Sequence, residues 1–387
     1  MSIPAFQMAS VPSIRFGPGA RHQLPEMVRE HNPRRVMVIT AGFVAEHYAT
    51  LFEAMTAEAP LHRVLVRGEP SPETIDALVA EAPGDIDLVI GVGGGSVLDA
   101  AKSVGGLLPE RHSVIDYLEG VGCGRRIAGD TVPFIAVPTT AGTGSETTKN
   151  AVITRIGAFK KSFRDERLLA RAVILDPEFL EGCPAETLYA TGMDAFTQLL
   201  ESYTTRKANP VTDALSWQGM TLFKGAFEAV ESADARMRED GLGRLMLAAS
   251  LSGICLANAG LGAVHGLAGP VGAFFEAPHG VVCARLLAPV TRRNIAALRA
   301  EGSEESLAVV ERYAAVGELM TGRRDPEELV KELEAMTARY SPEGLSRFGL
   351  TRENVAAVLA NCRSGSMLGN PLVLDDDCLF AALNEAL

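Results

Sequence analysis

The sequence predicts two domains that abut, an α/β N-terminal domain with a parallel sheet over residues 1–184 and an all-helical C-terminal domain over residues 185–387. Two observations carry this. Apolar β-rich runs alternate with helical stretches in the first half, and after about Pro184 those runs vanish and a helical period takes over. The length adds a third, because 387 residues exceed what one hydrophobic core usually serves.

Taken in order, strands are expected at residues 35–40 (RVMVIT), 63–66, 87–92 (DLVIGV), 133–138 (PFIAVP) and 172–176. Helices are expected between them at 43–58 and at 72–81, the latter opened by Ser71 as N-cap and Pro72 as first helical residue. Strands apolar on both faces and separated by helices imply a parallel sheet covered on both sides. In the second half the helical period marks 185–204, 212–231, 325–339 and 352–362. No repeat and no Pro/Ser/Gly linker separates the halves, so a cleft between them is the expected place for a ligand.

Composition narrows the function. A content of 47% hydrophobic and 22% charged residues is that of an ordinary globular chain. A net charge of −12 with scattered basic pairs offers no footprint for a phosphate backbone, so nucleic acid is excluded as a partner. Six well-separated cysteines with no CxxC pair suit a reducing cytoplasm. The N-terminus lacks a charged segment followed by an apolar stretch, so no leader is expected. Residues 245–275 contain no charged side chain and are long enough to span a bilayer. Six glycines, Ser250, Ser252, Asn258, His265 and Pro270 within that run instead indicate buried helices ending at a polar site, and no membrane partner is expected.

Three stretches carry chemistry. The strand DLVIGV runs into Gly93, Gly94, Gly95 and Ser96 and then a helix bearing Asp99 and Lys102. Glycines there let the main chain approach a pyrophosphate, and a helix start favours its charge; the same turn also suits a close-packed loop. Ser96 stands where the third glycine of GxGxxG would be, so the spacing is not the usual Rossmann one. After the strand PFIAVP come Thr139, Thr140, Thr143 and Ser145, with Thr147 and Thr148 beyond. This density of hydroxyls exceeds what turns and caps require and suits phosphate, ribose and carboxamide groups. Finally, of seven histidines only His265 and His279 lie beyond residue 112, both in apolar, glycine-rich settings. Asp194 and Gln198 stand four apart on one helical face upstream. Separately these suit a helix cap, a surface amide and two core imidazoles; together they suit one divalent cation.

GGGSVLDAAK (93–102), PTTAGTGSE (138–146), GMDAFTQLLESY (192–203) and HGLAGPVGAFFEAPHG (265–280) resemble, in this order, four motifs of the iron-containing, or group III, alcohol dehydrogenase family. The resemblance spans nearly the whole chain and implies the dehydroquinate synthase-like architecture, with a dinucleotide-binding domain followed by a helical one. It implies NAD or NADP held by the two loops, by Thr40 and by Lys161, and a metal, Fe²⁺ or Zn²⁺, held by Asp194, His265, His279 and Gln198. Asp194, His265 and His279 are the implied catalytic groups, an alcohol or carbonyl compound is the implied substrate, and a homodimer or larger homo-oligomer is the implied assembly.

The sequence departs from the family at three places. Gln198 replaces the usual third histidine, and Gly269 stands where another histidine is common, one turn after His265. Ala41 and Gly42 follow Thr40 where NAD-preferring members place an aspartate, which leaves room for the 2′-phosphate of NADP. These departures keep two alternatives open, a metal-independent reductase of the maleylacetate type and a non-catalytic nucleotide-binding protein. A dehydroquinate synthase-like cyclase fits less well, since no basic cluster lies near the histidines.

Overall fold

A computed structural model describes residues 5–387; residues 1–4, the start of the segment expected to lack a leader, lie outside the described residues. The N-terminal half runs β1 (Ser13–Phe16), α1 (Leu24–His31), β2 (Val36–Thr40), α2 (Gly42–His47), α3 (Ala49–Thr56), β3 (Leu61–Leu65), α4 (Pro72–Glu81), β4 (Leu88–Gly93), α5 (Gly95–Leu107), β5 (Phe134–Pro138), β6 (Asn150–Arg155), β7 (Phe159–Arg164) and β8 (Ala172–Leu175). Helices make up the rest: α6 (Ala185–Thr204), α7 (Pro210–Phe223), α8 (Ala226–Val230), α9 (Ala235–Ala259), α10 (Ala263–Phe275), α11 (His279–Glu301), α12 (Glu304–Thr321), α13 (Pro326–Tyr340), α14 (Val355–Leu359) and α15 (Asp376–Glu385).

Six strands form one sheet in the order β1-β8-β5-β4-β2-β3, with every pair parallel. The four inner strands are buried along their whole length, which is why they read as unbroken apolar runs. The two edge strands, β1 and β3, are partly exposed. β1 escapes prediction because SIRF is short and mixed; the β6–β7 hairpin escapes because NAVITR ends in Arg155 and FKKSFR carries Lys160, Lys161 and Arg164, so neither reads as an unbroken apolar run.

Local conformation accounts for the other differences. The stretch 43–58 is two helices, broken at Tyr48 (φ −115°, ψ 33°). The stretch 212–231 is likewise split at Gly225, whose φ of +71° belongs to the left-handed region that glycine adopts at low cost. Of 352–362 only Val355–Leu359 is α-helical.

α9 is long and apolar enough to cross a membrane by composition. It lies inside the protein, however, with Leu245, Met246, Ala248 and Ala249 buried. The uncharged run ends its first helix at Gly260 (φ +74°) and starts again as α10, so it forms two packed helices. α6 is buried along most of its length, and Phe196, Leu199 and Leu200 join Met220, Phe223, Phe227 and Leu245 in one core. That rigid setting fixes the polar groups α6 carries.

Candidate metal centre and cofactor cleft

The chain leaves β2 toward β3 on one side and leaves β4 toward β5 on the other. Connections that diverge at adjacent carboxyl ends open a crevice, the usual ligand site of doubly wound sheets. Gly93 closes β4 at this crevice, and Gly94 caps α5 with no side-chain cap and no acidic residue in the first turn. The first N–H groups of α5 therefore lack intrahelical partners and suit an anion. The second loop folds down on this turn. A Cβ on Gly95 would lie 2.7 Å from Thr143 Oγ1, and one on Gly94 would lie 3.3 Å from Thr140. Ser96, Thr139, Thr140 and Thr143 remain half-buried around the opening.

The second loop is pinned to the helical half as well. Gly144 takes φ +60°, and a Cβ there would lie 2.5 Å from the main chain of Gly253 on α9. Gly142 approaches Thr191 on α6 equally closely, with 2.6 Å between an added Cβ and the Thr191 Cβ.

Several residues expected to touch the cofactor are turned inward. Thr40 donates its hydroxyl to the Val92 carbonyl at 2.7 Å, joining β2 to β4. Lys102 is 1% exposed, and its ammonium donates to the carbonyls of Ser145 (2.7 Å), Thr148 (3.1 Å) and Asn150 (2.8 Å) and to the Ser145 and Thr148 hydroxyls. Asp99 accepts from Ser145 Oγ at 2.6 Å and from the Val152 N–H at 2.9 Å. Asp99, Lys102 and Ser145 thus brace the second loop from beneath, because buried charges need a full set of partners. Lys161 reaches Ser364, 3.4 Å away, whereas its neighbour Lys160 pairs with Glu69 and lies beside Gly272 of α10.

Glu146, in the same loop, is 3% exposed, and burial pushes its carboxyl up to about 7. A folded-state value above the ordinary one favours the protonated form. Its contribution to stability is present at acid pH and lost as pH rises through 7. Glu146→Gln is accordingly expected to raise the urea midpoint at pH 8 and to leave it nearly unchanged at pH 5; equal effects at both would contradict the assignment.

The four metal-type side chains converge from three helices. Asp194, in the middle of α6, places Oδ1 3.1 Å from His265 Nε2 and 3.8 Å from His279 Nε2. His265 stands in the first turn of α10 and His279 opens α11. Cys283, one turn after His279, sets its Sγ 3.7 Å from His265 Nε2 and 3.8 Å from His279 Nε2. One donor atom from each of the four lies within 4.8 Å of the others. Metal–ligand bonds of roughly 2.0–2.3 Å put tetrahedral donors about 3.3–3.6 Å apart, so this spacing fits a cation. α11 docks this closely because residue 280 is glycine: a Cβ there would lie 2.4 Å from the Ala190 carbonyl oxygen.

Glu201, seven residues after Asp194 on α6, holds the first turn of α10 in place. One oxygen accepts from the Val264 N–H and the other sits against His265 Nδ1, both at 2.7 Å. This is the support that fixes a ligating imidazole and turns its other nitrogen inward. The charges agree with the geometry. Burial opposes ionisation of Asp194, but the two imidazoles outweigh it and hold the carboxyl at about 2. Burial likewise works against His265 carrying charge, yet Cys283, Asp194 and Glu201 raise it well above its ordinary range. Burial lowers His279 to about 4 and pushes Cys283 up to about 12. Two buried carboxylates in one pocket call for positive charge there.

Gln198, one turn after Asp194, has its amide engaged elsewhere. Its Oε1 accepts from Ser252 Oγ at 2.9 Å and its Nε2 donates to the Thr143 carbonyl at 3.3 Å, tying α6 to α9 and to the second loop. A Cβ on Gly269 would meet nothing within 4 Å, so open space stands one turn from His265. Cys283 and Glu201 were not singled out from the sequence. The spacings that carry them, four residues after His279 and seven after Asp194, place each on the ligand-bearing helix face.

The family model for iron-containing alcohol dehydrogenase matches residues 12–177, and that for the C-terminal part of the Fe-containing alcohol dehydrogenase family matches residues 188–387. The chain belongs to the iron-containing alcohol dehydrogenase family. It is similar to lactaldehyde reductase of Escherichia coli (strain K12), 34% identical over 293 residues that cover 72% of this chain and 73% of that protein. Alcohol dehydrogenase 4 of Saccharomyces cerevisiae (strain ATCC 204508 / S288c) is 27% identical over 387 residues, 97% of each chain. Among solved structures, 1,3-propanediol oxidoreductase superposes with a TM-score of 0.87 at 25% identity over 99% of this chain and 100% of that one. Sulfoacetaldehyde reductase from Bifidobacterium kashiwanohense in complex with NAD⁺ shares the fold, with a TM-score of 0.85 at 22% identity over 99% of each chain. As a member of this family the chain is an alcohol/aldehyde oxidoreductase.

Proposed function

We propose that the protein transfers hydride between NAD(H) or NADP(H) and a small alcohol or carbonyl compound, assisted by a divalent cation, Fe²⁺ or Zn²⁺, in the cleft. The observation that carries this reading is a single connection. Gln198, one turn beyond Asp194, donates to Thr143, whose side chain lies on Gly95 of the glycine turn. A cation beside Asp194 and a dinucleotide on α5 would therefore share one cleft.

A cation in this site supplies Lewis-acid polarisation of the carbonyl, and the nicotinamide supplies the hydride. The protein's own part is positioning. Glu201 orients His265; Asp194 provides a carboxylate that stays ionised; the free N–H groups of α5 receive the diphosphate. The open space at Gly269 supports a substrate bulkier near its reacting carbon than a short primary alcohol.

The test is anaerobic oxidation of NADH and of NADPH against short aldehydes, ketones and keto acids, with Fe²⁺ and again with chelator. Turnover that chelator abolishes and cation restores is expected. Turnover that survives exhaustive chelation would favour the metal-independent reductase, and cofactor binding without turnover the non-catalytic reading.

Ala41 caps α2 at the crevice, and a Cβ on Gly42 would meet nothing within 4 Å. An acidic side chain there would repel a 2′-phosphate. Ala41→Asp is expected to shift the NADPH/NADH ratio of kcat/KM at least 10-fold toward NADH; an unchanged ratio would place the adenosine ribose elsewhere.

A cytoplasmic location and a homodimer or larger assembly complete the proposal. Among the described residues β1 is an edge strand with one side unpaired, and Phe16 on it and Val11 just before it are exposed, a surface suited to a second copy.

A further inference from the structure

We propose that Cys283, not Gln198, completes the metal site, so that this chain holds its cation with one carboxylate, two imidazoles and a thiolate. The inference rests on the metal reading above and names its fourth ligand.

Three observations carry it. First, Sγ of Cys283 lies 3.7 and 3.8 Å from the Nε2 atoms of His265 and His279, the same two atoms that face Asp194 Oδ1. These separations match the edges of a tetrahedron drawn around one cation, about 3.5 Å for a nitrogen–sulfur pair. Second, both polar atoms of the Gln198 amide are already engaged, with Ser252 and with the Thr143 carbonyl. Turning the oxygen to a cation would break the bond between α6 and α9. Third, Cys283 is fully buried on the helix that His279 opens, one turn away, so the two donors are presented by one rigid element.

The chemistry of the set follows. Binding displaces the thiol proton of Cys283 and the Nε2 proton of His265 to solvent, so the site would then carry two anionic ligands and two neutral imidazoles. A thiolate is a softer donor than an imidazole and favours Zn²⁺ and its tetrahedral geometry. With four protein donors in place, a substrate oxygen must enter as a fifth ligand.

The test is optical and does not depend on turnover. The purified protein is stripped with chelator and titrated anaerobically with Co²⁺. A thiolate–cobalt bond gives an intense near-ultraviolet charge-transfer band that oxygen and nitrogen ligands alone do not. The band is expected at one equivalent, to vanish in Cys283→Ser, and to persist in Gln198→Ala. Zn²⁺ affinity is expected to fall at least 10-fold in Cys283→Ser and to stay within about threefold in Gln198→Ala. Far-ultraviolet circular dichroism establishes that both variants are folded. Stoichiometric Co²⁺ binding with visible d–d bands but no charge-transfer band would overturn the inference and leave the metal reading standing. Failure to bind any Co²⁺ or Zn²⁺ would overturn both.

Discussion

Replacing His265 with alanine is expected to lower kcat/KM for carbonyl reduction by 10³-fold or more, on the order of 4 kcal/mol of transition-state stabilisation, while NAD(H) affinity stays within a few-fold. His265 is held between two carboxylates, 2.7 Å from Glu201 and 3.1 Å from Asp194, so its loss would remove a donor of the proposed metal site and leave both anions buried together. The glycine turn proposed to hold the dinucleotide lies beyond Gln198 and the second loop, which is why its affinity is expected to change little. Steady-state kinetics with a fluorescence titration of NADH separates the two readouts. Turnover near the parent value would sink the metal mechanism. Equal loss of turnover and cofactor affinity would mean that the helical half had come apart. Glu201→Gln is a milder version of the same experiment, because it keeps the contact to Val264 while weakening the support of His265.

Replacing Lys102 with methionine is expected to cost roughly 3–5 kcal/mol of stability, read from urea unfolding. The ammonium satisfies three carbonyls and two hydroxyls beneath the second loop, and these buried acceptors lose their donor when it is gone. Asp99 stays behind, 12% exposed, without its cation. Burial already pushes Lys102 down to about 8 against the pull of Asp99 and Glu146. A loss under about 1 kcal/mol would show that the loop keeps its shape without the clamp.

The parallel sheet was readable because its inner strands are apolar on both faces, and the helical half because its period never relents. Charged strands in a two-stranded hairpin and a four-residue edge strand carry no such signal. Asp194, His265 and His279 stood out by residue type and setting, and the structure gathers them. Lys102 and Asp99 stood out equally, yet their side chains face inward, since a motif records which residues are needed and not which way they point. Cys283 gave no signal alone. Its meaning depends on α11 lying against α6, which is decided by Gly280 and Ala190, ninety positions apart in the chain.

The contact of Gly144 with Gly253 has a mechanical meaning. Main chain meets main chain there, with no side chain on either side to slide or yield, since a Cβ on Gly253 would lie 2.2 Å from the Gly144 carbonyl oxygen. A joint of that kind leaves no room for sliding, so it fixes the second loop against α9. In the proposed reaction this joint would hold the hydroxyl-rich loop at a constant height beneath the place where nicotinamide and carbonyl meet.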